Sequence, residues 1–216
     1  MKKDFDYIVG IDEVGRGPVA GPVAVGLMSV PASDYEKVSE IFTDFKDSKK
    51  LTIKRRNEWF ARIKEQKENG LLDYKIIFVE SEKIDKFGIA PSIRACIDGG
   101  LESFKSTWTS DVQVGRCLIK LDGGLKAPEE FTQQETIIKG DEKELVIALA
   151  SIVAKVTRDN VMCTFAKEYP EYSFEKHKGY GTKAHYEAIQ KHGFCPIHRR
   201  SFLSRFDKTD WGHFND

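Results

Sequence analysis

Residues 7–26, YIVGIDEVGRGPVAGPVAVG, constrain the fold more than any other stretch of the chain. An apolar run from Tyr7 to Ile11 ends in two adjacent carboxylates, Asp12 and Glu13, and opens into a glycine-rich loop. Neighbouring acids repel each other and gain nothing from a strand end, whereas a hard cation that binds only oxygen holds both. After Pro22 the residues VAVGLMSV are β-branched and small, which predicts a second strand returning from a tight loop. The spacing of Gly15, Gly17 and Gly21 is GxGxxxG, not the GxGxxG of a dinucleotide-binding turn, and Pro18 and Pro22 fall where a crossover helix would begin. A hairpin is therefore expected. A loop so poor in side chains offers main-chain N–H groups to sugar hydroxyls or phosphate oxygens. Without the acids it would read as an ordinary glycine turn.

A chain of 216 residues with 40% hydrophobic content can bury the core of one domain, or of one domain with a small appendage. No apolar run approaches the ~20 residues that span a bilayer, and MKKDFDYIVG lacks the apolar region of a signal peptide, so a cytoplasmic protein is expected. Cys96, Cys117, Cys163 and Cys195 are widely spaced with no CxxC pair, which fits reduced thiols. Basic and acidic residues balance, 34 against 34, so bulk electrostatics does not announce a nucleic-acid binder. Local patterning says more. Lys46, Lys49, Lys50, Lys54, Arg55, Arg56, Arg62 and Lys64 stand against only Asp47 and Glu58, ordinarily a solvated helix face. All five histidines lie between His177 and His213, among Lys176, Lys178, Lys183, Arg199, Arg200, Tyr180 and Phe202, a mixture that can grip a backbone and stack on a sugar or base.

Strands are expected near residues 7–12, 22–30, 72–79, 117–122 and 135–138, and helices at about 52–69, 89–105, 143–168 and 182–191. In the third helix Leu145, Leu149, Ile152, Val153 and Val156 recur at helical spacing, while Ala148, Ala150 and Ala154 allow close packing against a core. Strands that come first and helices that dominate later predict an α/β fold: a mixed sheet carrying helices, with a helical lobe after about Pro170.

Two further acids stand out. Asp122 ends the apolar run CLIKLDGG, where α/β proteins place ligands, although Asp-Gly is equally a turn signal. Asp141 immediately precedes the long helix and, with Glu144 three residues on, resembles a capping box. A carboxylate at a helix start also stays ionised, as a metal ligand must, so both readings stand. A non-catalytic nucleic-acid binding module would use the basic segments but not four acids at strand and helix ends. Zinc is suggested by His192, Cys195 and His198, yet such sites usually take four ligands and no second close pair completes this one.

The segments GIDEVGRGPVAGPV, KDSKKLTIKRR, LDG, KGD, ASIVAKVTRD, HKGYGTKAHYEAIQKHG and CPIHRRSF occur in this order. In them the chain resembles the ribonuclease HII family from Tyr7 to about Phe202. The sister ribonuclease HIII family carries a different glycine loop and an extra amino-terminal domain, which the GRG here disfavours. The resemblance implies an RNase H-like fold over residues 1–170 and a helical carboxy-terminal extension over 171–216 that helps bind substrate. It implies endonucleolytic cleavage of RNA in RNA/DNA hybrids and at ribonucleotides embedded in duplex DNA, as in ribonucleotide excision repair, leaving 5'-phosphate and 3'-hydroxyl ends. The family's four-carboxylate site maps onto Asp12, Glu13, Asp122 and Asp141, with Asp12 bridging two Mg2+ or Mn2+ ions. The glycine loop of Gly15, Arg16 and Gly17 would hydrogen-bond the ribose, with Tyr180 stacking on its face. Lys49 would contact phosphate, as would part of the Arg199 and Arg200 pair unless a salt bridge holds it. The implied partner is nucleic acid, with a monomer and no obligate protein partner expected; the sequence shows no recognisable clamp-binding peptide after Phe202, although the ending DWGHFND leaves room for a partner. Two departures lie where the family usually has asparagine and a helix former: Gly88 and Pro91 imply a helix that starts late. Phe194 replaces a frequent proline.

Overall fold

The computed structural model describes residues 5–43, 51–108 and 112–204. Lys49, the rest of the DSKK segment and the terminal DWGHFND lie outside the described residues. Five strands, β1 (Tyr7–Val14), β2 (Val23–Pro31), β3 (Asp73–Val79), β4 (Cys117–Asp122) and β5 (Gln134–Ile137), form one mixed sheet in the order β3-β2-β1-β4-β5. β1 pairs antiparallel with β2, from Tyr7 opposite Pro31 to Val14 opposite Ala24, so the expected hairpin is present. β3 continues the antiparallel half, while β4 and β5 run parallel to β1.

The helices are α1 (Tyr35–Ile41), α2 (Ile53–Glu68), α3 (Ser81–Phe87), α4 (Ile89–Lys105), α5 (Gly140–Lys143), α6 (Leu145–Glu168), α7 (Phe174–His177) and α8 (Lys183–His192). Thr52 and Thr182 cap α2 and α8, their hydroxyls accepting from Arg55 N and His185 N. Side chains alternate across β1, so Val9 and Ile11 pack on one face with Ile93, Ile97, Leu101 and Phe104 of α4. The opposite face carries α6, α2 and α1 through Leu149, Val153, Trp59, Ile63 and Val38. A third cluster joins the loop residues Val19 and Ala20 and Met162 of α6 to Tyr172, Phe174, Ile189 and Ile197 beyond Pro170.

Two glycines decide how close α6 comes to the sheet. A methyl at Gly10 would collide with the Val146 backbone, and one at Gly26 with the Ala150 carbonyl. The helix therefore rides in main-chain contact over β1 and β2, with Ala150 and Ala154 in the contact as their size predicts. α4 begins at Ile89, not late: Pro91 sits in its first turn, where a missing N–H costs nothing, and Ser92 Oγ donates to Gly88 O at 2.8 Å.

Candidate active site

Strand alternation puts Asp12 on the same face of β1 as Gly10, towards α6. The parallel register runs from Tyr7 opposite Cys117 to Ile11 opposite Leu121, so Asp12, two residues before the end of β1, stands beside Asp122 at the end of β4. Asp122 Oδ1 accepts from Gly140 N at 2.6 Å, which ties the end of β4 to the start of α5 and brings in Asp141. A cleft of about 310 Å3 is lined by all four expected acids, Asp12, Glu13, Asp122 and Asp141. Asp12 is 7% exposed and Asp141 3%.

Asp141 does not cap the long helix. It lies in the first turn of the short α5, whose own N-cap residue is Lys139, and α6 starts after Glu144 with no side-chain cap bond. Glu144 instead pairs with Lys120 at 2.6 Å. The expected capping box fails because the chain breaks at Glu144 into two helices, so the S/T/D-x-x-E spacing falls across the break.

Burial pushes the Asp12 carboxyl up from 3.8 to about 8, and Asp122, Glu13 and Asp141 push it the same way against a hydrogen bond from Ser151. Burial also raises Glu13, while Arg16 pulls it back from 3.4 Å. Four carboxylates around one cleft cannot all ionise cheaply without added positive charge. An all-oxygen donor set suits Mg2+ or Mn2+. No three His, Cys, Asp and Glu side chains among the described residues form a preformed cage, so the acids share a cleft and not a single point. The donor chemistry fits a divalent cation.

Ser151, Lys155 and Arg56 also line the cleft and were not singled out in the sequence. Ser151 and Lys155 are spaced i, i+4 on the face of α6 that meets β1, a signal available once that face is known. Arg56 belongs to the basic run, whose neighbours Lys54 and Arg55 are solvated as the plain reading of a charged helix expects.

The residues expected to read the sugar converge beside the acids. Gly15 has φ 85°, and a methyl there would strike the Arg158 side chain. Gly17 is exposed, and a methyl on it would lie 3.9 Å from Tyr180 Cε1. Tyr180 is 46% exposed in the turn between α7 and α8, and the Arg16–Glu13 contact links this loop to the acids. Arg199 is fully buried, so it is not placed to meet a phosphate, and among the described residues it forms no salt bridge but hydrogen-bonds main-chain carbonyls. Arg200 is exposed, and its main-chain N–H donates to Asp85 at 2.8 Å. For the zinc alternative, His198 Nδ1 lies 3.1 Å from Cys195 Sγ and its Nε2 lies 3.1 Å from His185 Nε2, a hydrogen-bonded histidine pair and not a metal cage.

A mixed sheet of this order, with acids at the ends of its central parallel strands and a long helix closing the cleft, defines a ribonuclease H-like hydrolase. The family described as Ribonuclease HII matches residues 9–205. Ribonuclease HII of Clostridioides difficile is 43% identical over 93% of this chain and 71% of its own length. The ribonuclease H2 of Pyrococcus horikoshii OT3 superposes with TM-score 0.65 at 27% identity, covering 94% of this chain and 100% of that one. The structure of the PCNA:RNase HII complex from Archaeoglobus fulgidus matches with TM-score 0.71 at 21% identity, over 97% of this chain and 96% of that chain, a likeness of fold. The chain belongs to the ribonuclease HII family, and is a ribonuclease H enzyme, an endonuclease.

Proposed function

We propose that the chain hydrolyses phosphodiester bonds at ribonucleotides, both in RNA/DNA hybrids and embedded singly in duplex DNA, leaving 5'-phosphate and 3'-hydroxyl ends. The observation that carries this reading is the adjacency of two unlike sites: an acid-lined cleft and, one loop away, an exposed Gly17 facing Tyr180. The first suits phosphodiester chemistry, the second suits a sugar.

Asp12, Glu13, Asp122 and Asp141 would hold Mg2+ or Mn2+, with Asp12 central because all three other acids act on it. When bound, two such ions supply a hydroxide nucleophile at neutral pH and neutralise the leaving oxygen. Ser151 lines the cleft beside Asp12 and favours its ionised carboxylate. Lys155, paired with Asp159 at 2.8 Å, and Arg56 place positive charge at the cleft wall, where a backbone phosphate would lie. Gly15, Arg16 and Gly17 bind the ribose through main-chain groups, and Tyr180 gives its face a flat apolar support. Residues 171–216 serve as a substrate-binding extension, because the turn bearing Tyr180 belongs to them.

A labelled duplex carrying one ribonucleotide tests the reading. Cleavage at that nucleotide is expected with Mg2+ and none after chelation, and the all-DNA duplex should stay intact. Cleavage that survives chelation, or that ignores the ribonucleotide, would exclude it. A pure binding module would hold the duplex unchanged under both conditions.

A further inference from the structure

Arg158 and Arg199 are the largest fully buried side chains of the described residues. Burying a cation away from an anion is costly, and an apolar side chain would fill the same space without that cost. Every hydrogen bond of the two guanidinium groups among the described residues goes to a main-chain carbonyl. Arg199 donates from Nε to Gly21 O at 2.8 Å, from Nη1 to Arg16 O at 3.2 Å and from Nη2 to Gly15 O at 2.7 Å. Arg158 donates to Pro22 O, Lys178 O and Ala20 O at 2.9, 3.1 and 3.4 Å. Orienting carbonyls is what a guanidinium fork does and an apolar chain cannot do.

The orientation has a geometric corollary. In a trans peptide the C=O and N–H of one unit point in opposite directions, and the described chain has no cis peptide. Drawing the Gly15 and Arg16 carbonyls inward onto Arg199 therefore turns the N–H groups of Arg16 and Gly17 outward. Both residues are exposed, and a methyl on Gly17 would lie 3.9 Å from Tyr180 Cε1. The positive charge behind these peptides also polarises their N–H groups as donors.

We propose that Arg199 is a positioning residue for ribose recognition: by gripping the carbonyls of Gly15 and Arg16 it fixes the N–H groups of Arg16 and Gly17 as the donors that meet the 2'-hydroxyl oxygen and the adjacent phosphate, opposite Tyr180. Arg199 itself touches no substrate. The inference rests on the reading that this loop contacts the ribose, and it deepens that reading by naming the donors and what aims them.

The test is equilibrium binding with Mg2+ in an Asp122→Asn background, which removes cleavage. Two duplexes of one sequence are compared, one all-DNA and one carrying a single ribonucleotide, and the ratio of their affinities is the readout. Arg199→Lys keeps the charge and loses the fork. It should lower that ratio by about tenfold, the effect of roughly one misaligned hydrogen bond, while affinity for the all-DNA duplex and cooperative thermal unfolding persist. A folded Arg199→Lys protein with the ratio intact overturns the proposal, and so does an equal loss for both duplexes, which marks a merely structural role. If the background protein with Arg199 intact shows no preference, ribose reading by the loop fails and this inference with it. Should Arg199→Lys not fold, Phe202→Leu removes the exposed ring that lies 5.3 Å from the guanidinium carbon. The ratio should then fall about threefold, the scale of an exposed cation–π contact, and an unchanged ratio overturns the proposal.

Discussion

Gly140 N donates to Asp122 Oδ1 at 2.6 Å, so the carboxylate that ends β4 also fixes where α5 begins. One oxygen of Asp122 is thus committed to the backbone, and Asp141, one residue beyond Gly140, inherits its place from that bond. Charge and architecture at Asp122 can be separated by substitution. Asp122→Asn keeps an oxygen for Gly140 and should fold normally while cleavage falls by orders of magnitude. Asp122→Ala should in addition lose about 1–3 kcal/mol of stability, since a buried N–H is left without its acceptor. Urea unfolding and single-turnover cleavage of both variants decide it; near-normal cleavage by Asp122→Asn, or by Asp12→Asn, across a Mg2+ titration would remove the metal-site reading.

Asp141 bears no cap on α6, so its removal carries no capping cost. Its charge acts on Asp12 in the raising direction. Asp141→Asn should therefore unfold at the same temperature as the parent or slightly higher in metal-free buffer, with most cleavage activity gone. A variant that melts several degrees lower yet cleaves normally would return Asp141 to a structural role.

Gly15 and Gly17 should respond oppositely to one added methyl. At Gly15 the positive φ costs about 1–3 kcal/mol for a side chain, and the methyl also meets Arg158, so Gly15→Ala should be strongly destabilised. At Gly17 the methyl meets only Tyr180 Cε1, at 3.9 Å, so Gly17→Ala should stay as stable as wild type but lose ribonucleotide cleavage. Thermal melts beside cleavage rates test the contrast; a fully active Gly17→Ala would mean that the sugar does not enter there.

Tyr180→Phe retains a flat face and should stay active, whereas Tyr180→Ala should lose about tenfold to a hundredfold in rate, the scale of a base or sugar stacking contact of ~1–3 kcal/mol. The loss should be larger on a single ribonucleotide than on a continuous hybrid, which offers many registers. Equal rates for Tyr180→Ala and wild type on the single ribonucleotide would leave recognition to the loop alone.

Burial lowers His185 and His198 from 6.5 to about 4, and His177 is lowered for the same cause. The unfolded chain then binds more protons than the folded one across that window, so stability present above pH 6.5 is lost as pH falls towards 4. The buried Asp12 and Glu13 work with the opposite sign, their raised carboxyls favouring the folded state at low pH. In an Asp12→Asn, Glu13→Gln background the midpoint temperature should accordingly fall between pH 6.5 and 4. A flat profile over that interval would show that the three rings are not held neutral.

What was legible in the sequence follows from how local its causes are. All five strands and the four long helices were expected from the sequence; in β1, β2, β4, α4 and α6 a buried apolar face is long enough to repeat, whereas β5 buries no residue and α8 only His185 and Ile189. α1 and α3 escaped notice: α1 buries only Val38, and α3 only Ser81 and Ile84, too few positions to show a period. The acids of the cleft were readable because each sits close to an end of a strand or helix, Asp122 at the last residue of β4 and Asp141 in the first turn of α5. Arg199 was misread because its partners, the carbonyls of Gly15, Arg16 and Gly21, belong to every sequence alike, and only the fold shows which carbonyls lie within reach. Ser151 and Lys155 were hidden for a related reason: the rotation of α6 is set by its main-chain contact with Gly10 and Gly26, a property of two strands far away in sequence.

The Arg199–Gly15 hydrogen bond spans 184 positions of the chain. All four acids leave the ribosome well before Arg199 does, so during synthesis the charge cluster exists for a time without the residue that aims the ribose donors. On the proposed reading, the acids that would do the chemistry and the arginine that would aim the ribose donors are therefore made at different times.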